Sequence, residues 1–169
     1  MQGGIVNRVE ESGLVQLDLA QLLHPRPTAV VDIAQWLDNG FVMREKAFRQ
    51  GVSAWDASSL HGHVVALTCS SDAILPDWSW MLVAAKLTES NASCLVGTID
   101  DAQTLAWKMA VQSIDRELYR DQRVIVKGCA SAGGPSTLVA FTEHVGTVVR
   151  SLMFGEACSA VPLVKNPKQ

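Results

Sequence analysis

Two short β-rich runs, each ending at a cysteine, constrain this chain more than any other feature. His63-Val64-Val65-Ala66-Leu67-Thr68-Cys69 leads to Pro76, and Arg123-Val124-Ile125-Val126-Lys127-Gly128-Cys129 leads to Pro135. Each run stops at its cysteine, crosses a polar or glycine-rich loop and enters a helix-like stretch near proline. Strand–helix–strand alternation with connections of this length requires crossovers, and crossovers are compatible with parallel strands.

Along the chain, residues 4–11 suit a short helix ended by Ser12-Gly13. Residues 14–19 alternate apolar and polar, the mark of a half-buried strand. Pro25 and Pro27 break the chain before a strand over 28–33, whose end runs toward a helix carrying Trp36 and Leu37. Asp38-Asn39-Gly40 reads as a turn, residues 42–55 as a helix and 56–62 as a polar connection. From there the pattern predicts strand 64–68, helix 76–88, strand 93–97, helix 101–113, strand 124–127, helix 135–154 and a last strand over 160–164. The expected fold is a three-layer α/β sandwich with a mixed, mainly parallel sheet and an N-terminal α+β extension. No linker or low-complexity segment interrupts it, so residues 1–169 are expected to form a single domain.

The length of 169 residues allows a sizeable core, and 48% hydrophobic with 18% charged residues marks a globular chain. A net charge of −3 argues against nucleic acid as a partner, because phosphate binding needs clustered Lys and Arg. The N-terminus lacks a charged start followed by an apolar stretch, and no apolar run approaches the roughly 20 residues of a membrane helix. A cytoplasmic location without membrane contact is therefore expected. In a reducing compartment the four cysteines point to metal binding, redox chemistry or simple burial rather than to disulfides.

Ligand sites of parallel sheets form beyond the carboxyl ends of the strands. Cys69 and Cys129 are expected at that edge, and Cys158 joins them if the last strand runs antiparallel. Three thiolates plus one further donor suit zinc or an iron–sulfur cluster. Asp72 is the candidate further ligand, or else a loop-ordering or capping carboxylate. Cys94 lies inside a strand and is expected apart from this set. The competing reading is that all these thiols are small buried apolar groups.

The run from Gly128 to Ser136 matches no nucleotide-binding fingerprint, so no nucleotide is expected, and Gly133 and Gly134 read as turn residues. His61 and His63 stand at the start of a strand, opposite the cysteine edge. Trp78, Met81, Leu82 and Ala85 form a stripe at helical spacing, which predicts core. Trp80 points away from that stripe and suggests a contact with a second subunit.

Several blocks resemble a small bacterial family catalogued as a domain of unknown function. They are Ile5-Val6-Asn7-Arg8-Val9 with Ser12-Gly13-Leu14, the block from Thr68 to Trp78, Lys127-Gly128-Cys129, and the block from Ser151 to Pro162. The resemblance spans nearly the whole chain; the family pattern has proline where this chain has Ala157. That family tends to be encoded near iron–sulfur assembly genes, so the resemblance implies a role beside cluster assembly and iron–sulfur assembly proteins as partners. Three functions follow as expectations. The first is a cysteine-ligand metal-binding or iron–sulfur accessory protein using Cys69, Cys129, Cys158 and Asp72. The second is a thiol or persulfide transfer enzyme, and the third a non-catalytic interaction subunit whose contact face is Trp80 or the N-terminal third, with a homo-oligomer as one form.

Overall fold

A computed structural model describes residues 13–127 and 132–167. Among them are β1 (Leu14–Leu17), α1 (Leu19–Leu22), β2 (Thr28–Asp32), α2 (Glu45–Ala54), β3 (Val64–Thr68), α3 (Asp77–Thr88), β4 (Ser93–Val96), α4 (Ile99–Gln112), β5 (Arg123–Val126), α5 (Gly134–Val145), β6 (Ser151–Phe154) and β7 (Val161–Lys165). The fold is mixed α/β and mainly parallel, as the strand–helix alternation predicts. The strands divide between two sheets, β1-β5-β6-β7 and β2-β3-β4. The two cysteine-ending strands, β3 and β5, therefore belong to different sheets. The chain clusters into two compact units, residues 25–106 and the segments on either side of them. The helix expected over 4–11 lies outside the described residues. No described helix is long and apolar enough to cross a membrane.

In residues 25–106, β2, β3 and β4 are all parallel, with β3 in the centre. Val64, Val65, Ala66 and Leu67 are all buried, so β3 is covered on both faces. That is why it reads as an unbroken apolar run. Val65 and Leu67 pack with Val31, Ile33, Phe48, Val52, Val83 and Leu87. Phe48 and Val52, one helical turn apart, are the buried residues of α2. The Phe48 ring meets Trp36 and Trp78 edge-on, at 5.9 and 5.8 Å between centroids. Gly51 permits this approach, since a Cβ there would stand 2.8 Å from the Trp36 ring.

Helix α3 corrects part of one expectation: of the predicted stripe, Trp78 and Leu82 pack against the core, but Met81 and Ala85 do not. Its buried residues are Ser79, Val83 and Leu87, while Met81 is 71% exposed and Ala85 also faces solvent. Trp80 is half-buried and packs on the core rather than standing clear of it. The helix is apolar nearly all round, so spacing alone does not select its inner face.

At the amino end of this sheet, Arg26 ties the strands together. Its Nε donates to Gly62 O at 2.5 Å and its Nη1 to Ser93 Oγ at 2.9 Å. Nη2 donates to His63 O at 3.1 Å and to Asn91 O at 2.5 Å. The guanidinium thus reaches the approaches to both β3 and β4.

In the other unit, β1, β5 and β6 are parallel and β7 is antiparallel to β6. Val124, Val126 and Leu152 pack with Leu19, Phe141, Val145 and Val149. The helix expected over 135–154 is corrected: α5 ends at Val145, and residues 151–154 are strand β6. Phe141, Val145, Val148, Val149 and Leu152 are nonetheless all buried. Their helical spacing also suits a helix, a turn and a strand entering one core. Gly146 and the β-branched Thr147-Val148-Val149 make the break affordable. Gly133 is a turn residue as expected, whereas Gly134 is the first residue of α5; their φ values are 66° and 72°. A side chain at Gly133 would collide with Trp107 and with Thr137 Oγ1, a buried hydroxyl with no hydrogen-bond partner among the described residues.

Replacing Arg26 with Ala removes a charged donor from Gly62 O and Asn91 O, while His63 O keeps the Ser93 N–H at 2.9 Å. Hydrogen bonds from a charged group contribute roughly 1.5–3 kcal/mol each, reduced by partial exposure, so a loss of about 2 kcal/mol or more is expected. Arg26→Lys should recover little, because an ammonium lacks the planar fork. Urea unfolding midpoints of the three proteins test this; an Arg26→Ala midpoint equal to wild type would show that the clamp is dispensable.

Candidate functional site

The carboxyl ends of β2, β3 and β4 form the edge where a parallel sheet presents its ligands. Asp32, the last residue of β2, accepts hydrogen bonds from three donors. Ala34 N–H and Ser70 N–H reach Oδ1 at 3.0 and 3.1 Å, and the Ser70 hydroxyl reaches Oδ2 at 2.5 Å. The Ser70 hydroxyl is the main cause of a carboxyl held below its ordinary value of 3.8; the two backbone donors add to it, and partial desolvation opposes it. Asp32 thereby anchors the loop that leaves β3. Beyond β4, Asp101 accepts from Thr98 N–H at 2.8 Å and Thr98 Oγ1 at 2.7 Å. Its amide returns a bond to Thr98 Oγ1 at 3.3 Å, closing the start of α4. Backbone and side-chain donors of Thr98 lower its carboxyl in turn.

Cys69 follows β3 directly. It is half-buried, packs against the core and donates its thiol hydrogen to Ser71 O at 3.3 Å. Ser71 Oγ accepts from Ala73 N–H at 3.2 Å, shaping the next turn. Asp72 is exposed and caps no helix: α3 starts behind Pro76 without a side-chain cap. Asp72 instead lines an open groove of about 600 Å³, together with Phe41, Val42, Glu45, Ile74 and Trp78. Ile74 is 96% exposed and Phe41 68% exposed.

The other described thiols are those of Cys94 and Cys158. Cys94 lies within β4, and burial pushes its thiol up, as suits a packing residue. Cys158 is exposed in the connection between β6 and β7, beyond the carboxyl end of β6, not behind a long helix. Cys129 lies outside the described residues. Among the described residues, no group of three or more His, Cys, Asp or Glu side chains is placed to hold a metal ion. His63 Nδ1 lies 3.1 Å from His61 O, and His144 Nε2 lies 2.9 Å from Ile114 O, so both rings have backbone partners.

Asp32 and the apolar groove do not stand out in the sequence reading. The available signal was a carboxylate ending the β-rich run Ala29-Val30-Val31, where a strand's carboxyl end meets a helical turn. Ile74 and Phe41 in otherwise turn-like segments were the second signal.

A carboxyl lowered on folding stabilises the fold above its unfolded value and loses that contribution as pH falls through the lowered one. Asp32→Asn should therefore be less stable than wild type at pH 6, with the gap closing progressively below about pH 3.8. Urea midpoints measured between pH 6 and 2.5 check this, and a gap independent of pH would remove the carboxylate from the explanation.

No curated protein and no solved structure matches the chain. The model of one family, described as protein of unknown function (DUF2480), matches residues 3–166, and the chain belongs to that family.

Proposed function

We propose that this protein is a non-catalytic interaction subunit that docks a partner protein in the groove between residues 41–45 and 72–78. The observation that carries the reading is the pair of exposed apolar residues, Phe41 and Ile74, lining one groove. A large side chain as exposed as Ile74 contributes nothing to its own fold and gains roughly 1.5–3 kcal/mol when a partner covers it. The charged residues lining the groove are Glu45 and Asp72, both acidic. Glu45 is bridged to Arg49 at 2.9 Å, whereas Asp72 has no ion pair among the described residues. The fitting partner presents an apolar segment with a Lys or Arg positioned for Asp72. The family resemblance implies that this partner comes from iron–sulfur assembly.

Photo-cross-linking from position 74 in the native cell identifies the partner, and titration of the purified pair measures it. Phe41→Asp and Ile74→Asp should each weaken binding by at least about tenfold. Met81→Asp, exposed on α3 outside the groove lining, should leave it unchanged. Equal affinity in all variants would reject the groove. Concentration-dependent dimers lost in the same variants would replace the partner by a second copy.

A second reading has thiolates ligating zinc or an iron–sulfur cluster, the chemistry expected of Cys69, Cys129, Cys158 and Asp72. Supporting it, Cys69 and Asp72 share the loop beyond β3, and Cys158 is open to solvent. Anaerobically purified protein should then carry metal, with sulfide if a cluster is bound, and Cys69→Ser should lower its metal content where Cys94→Ser does not. Metal content unaffected by Cys69→Ser would eliminate that residue as a ligand.

A further inference from the structure

The first residues of β5 and β6 and the last of β7 frame a pocket of about 550 Å³. Its charged lining residues are Arg123, Arg150 and Lys165, all cationic, in a chain whose net charge is −3. The strand register brings them together. Arg123 pairs with Ser151 across β5 and β6, and Ser151 pairs with Lys165 across β6 and β7. Directly paired residues project from the same face, so two cations flank one serine in a single row across three strands. Adjacent strands are about 4.8 Å apart, which sets the two cationic positions roughly 10 Å apart along the backbone.

Two residues further along, Met153 stands opposite Pro162, and both line the same pocket. The pairing slips between Leu152 and Met153, so β7 spends one extra residue, Leu163. That irregularity brings Pro162 rather than Leu163 to Met153 and gives the row of charges an apolar floor. Asn166 fixes the end of the arrangement. Its amide Nδ2 donates to Gly146 O at 2.7 Å and Val149 O at 2.8 Å, and its N–H to Arg150 O at 2.9 Å. This sets Asn166 against Arg150, one step along from the Ser151–Lys165 pair; Arg150 and Lys165 both line the pocket, and no ion pair joins either to a described residue. Gathering like charges is unfavourable unless an anion joins them.

We propose that this pocket binds a small organic anion whose phosphate or carboxylate is held by Arg150 and Lys165. Ser151 supplies a hydroxyl donor, and the apolar part of the ligand lies over Met153 and Pro162. The pocket volume falls in the range of small-molecule sites, and a guanidinium beside an ammonium suits either head group.

Calorimetric titration at low ionic strength with phenyl phosphate, benzoate and inorganic phosphate tests the site. Saturable binding of phenyl phosphate or benzoate is expected, tighter than that of inorganic phosphate, and the stronger of the two identifies the head group. Arg150→Gln and Lys165→Gln should each weaken it about tenfold or more, since each removes a charge-assisted donor. Both side chains are exposed, and circular dichroism confirms that the variants fold. Lys108→Gln, which alters a cation lining a different pocket, should have no effect. Absence of saturable binding for all three probes, or equal affinity in Arg150→Gln and Lys165→Gln, would overturn the proposal. Either result leaves the groove around Ile74 standing, because no residue is common to the two tests.

Discussion

Parallel strands can be joined only by crossovers, so each strand of β2-β3-β4 enters through a loop whose carbonyls must find donors away from the ladder. At the amino end Arg26 supplies donors beyond the backbone ones that Pro27 O and His63 O receive from Val64 and Ser93. One planar group takes carbonyls from Gly62, His63 and Asn91 and the hydroxyl of Ser93. The acceptors come from the approaches to two different strands, so the guanidinium holds the entries to β3 and β4 at a fixed spacing. A sheet of three short strands has few ladder bonds of its own, and this clamp adds to them at the amino end.

At that opposite end, the strongest carboxylates are already engaged. Asp32 is committed to Ser70 and Ala34, and Asp101 to Thr98. Each lowered carboxyl reports a group stabilised as an acceptor of fixed donors. A carboxylate held in that way orders backbone, and it is poorly suited to taking up a proton near neutral pH. Both carboxylates thus serve to order the loops that leave this edge. Asp72, exposed at the groove, carries no ion pair among the described residues and is open to a partner.

The strands were legible because β3 and β5 are buried on both faces. Val64 to Leu67 and Val124 to Val126 leave no polar interruption, and their shortness and β-branched residues decide for strand over buried helix. The division into two sheets was not legible, because pairing between strands far apart in sequence leaves no local trace. The segment after Val145 misled for a different reason. Its apolar positions serve one core through a helix, a turn and a strand, so period alone kept the helix running to residue 154. Helix α3 hid its inner face behind an almost continuous apolar surface, and Trp80 was placed outside when it packs inward. Of the candidate site, Cys69 and Asp72 were rightly placed beyond the carboxyl end of β3. Asp32 was overlooked because an aspartate at a strand end looks like any turn residue until its donors, 38 positions away in Ser70, are seen.

Strand β7 shows how one local irregularity meets two demands. It is the edge of its sheet, and Val161 and Leu163 are exposed along it, the kind of surface that recruits another strand. Pro162 withholds a ladder donor there, the register slip bends the strand, and Lys165 places a charge at its end. Each of these features opposes edge-to-edge pairing. The same slip turns Pro162 toward Met153, and the same lysine closes the row begun by Arg123 and Ser151. A flat, uncharged strand in this position would both invite aggregation and lack a pocket, so protection of the edge and shape of the cationic site derive from the same few residues.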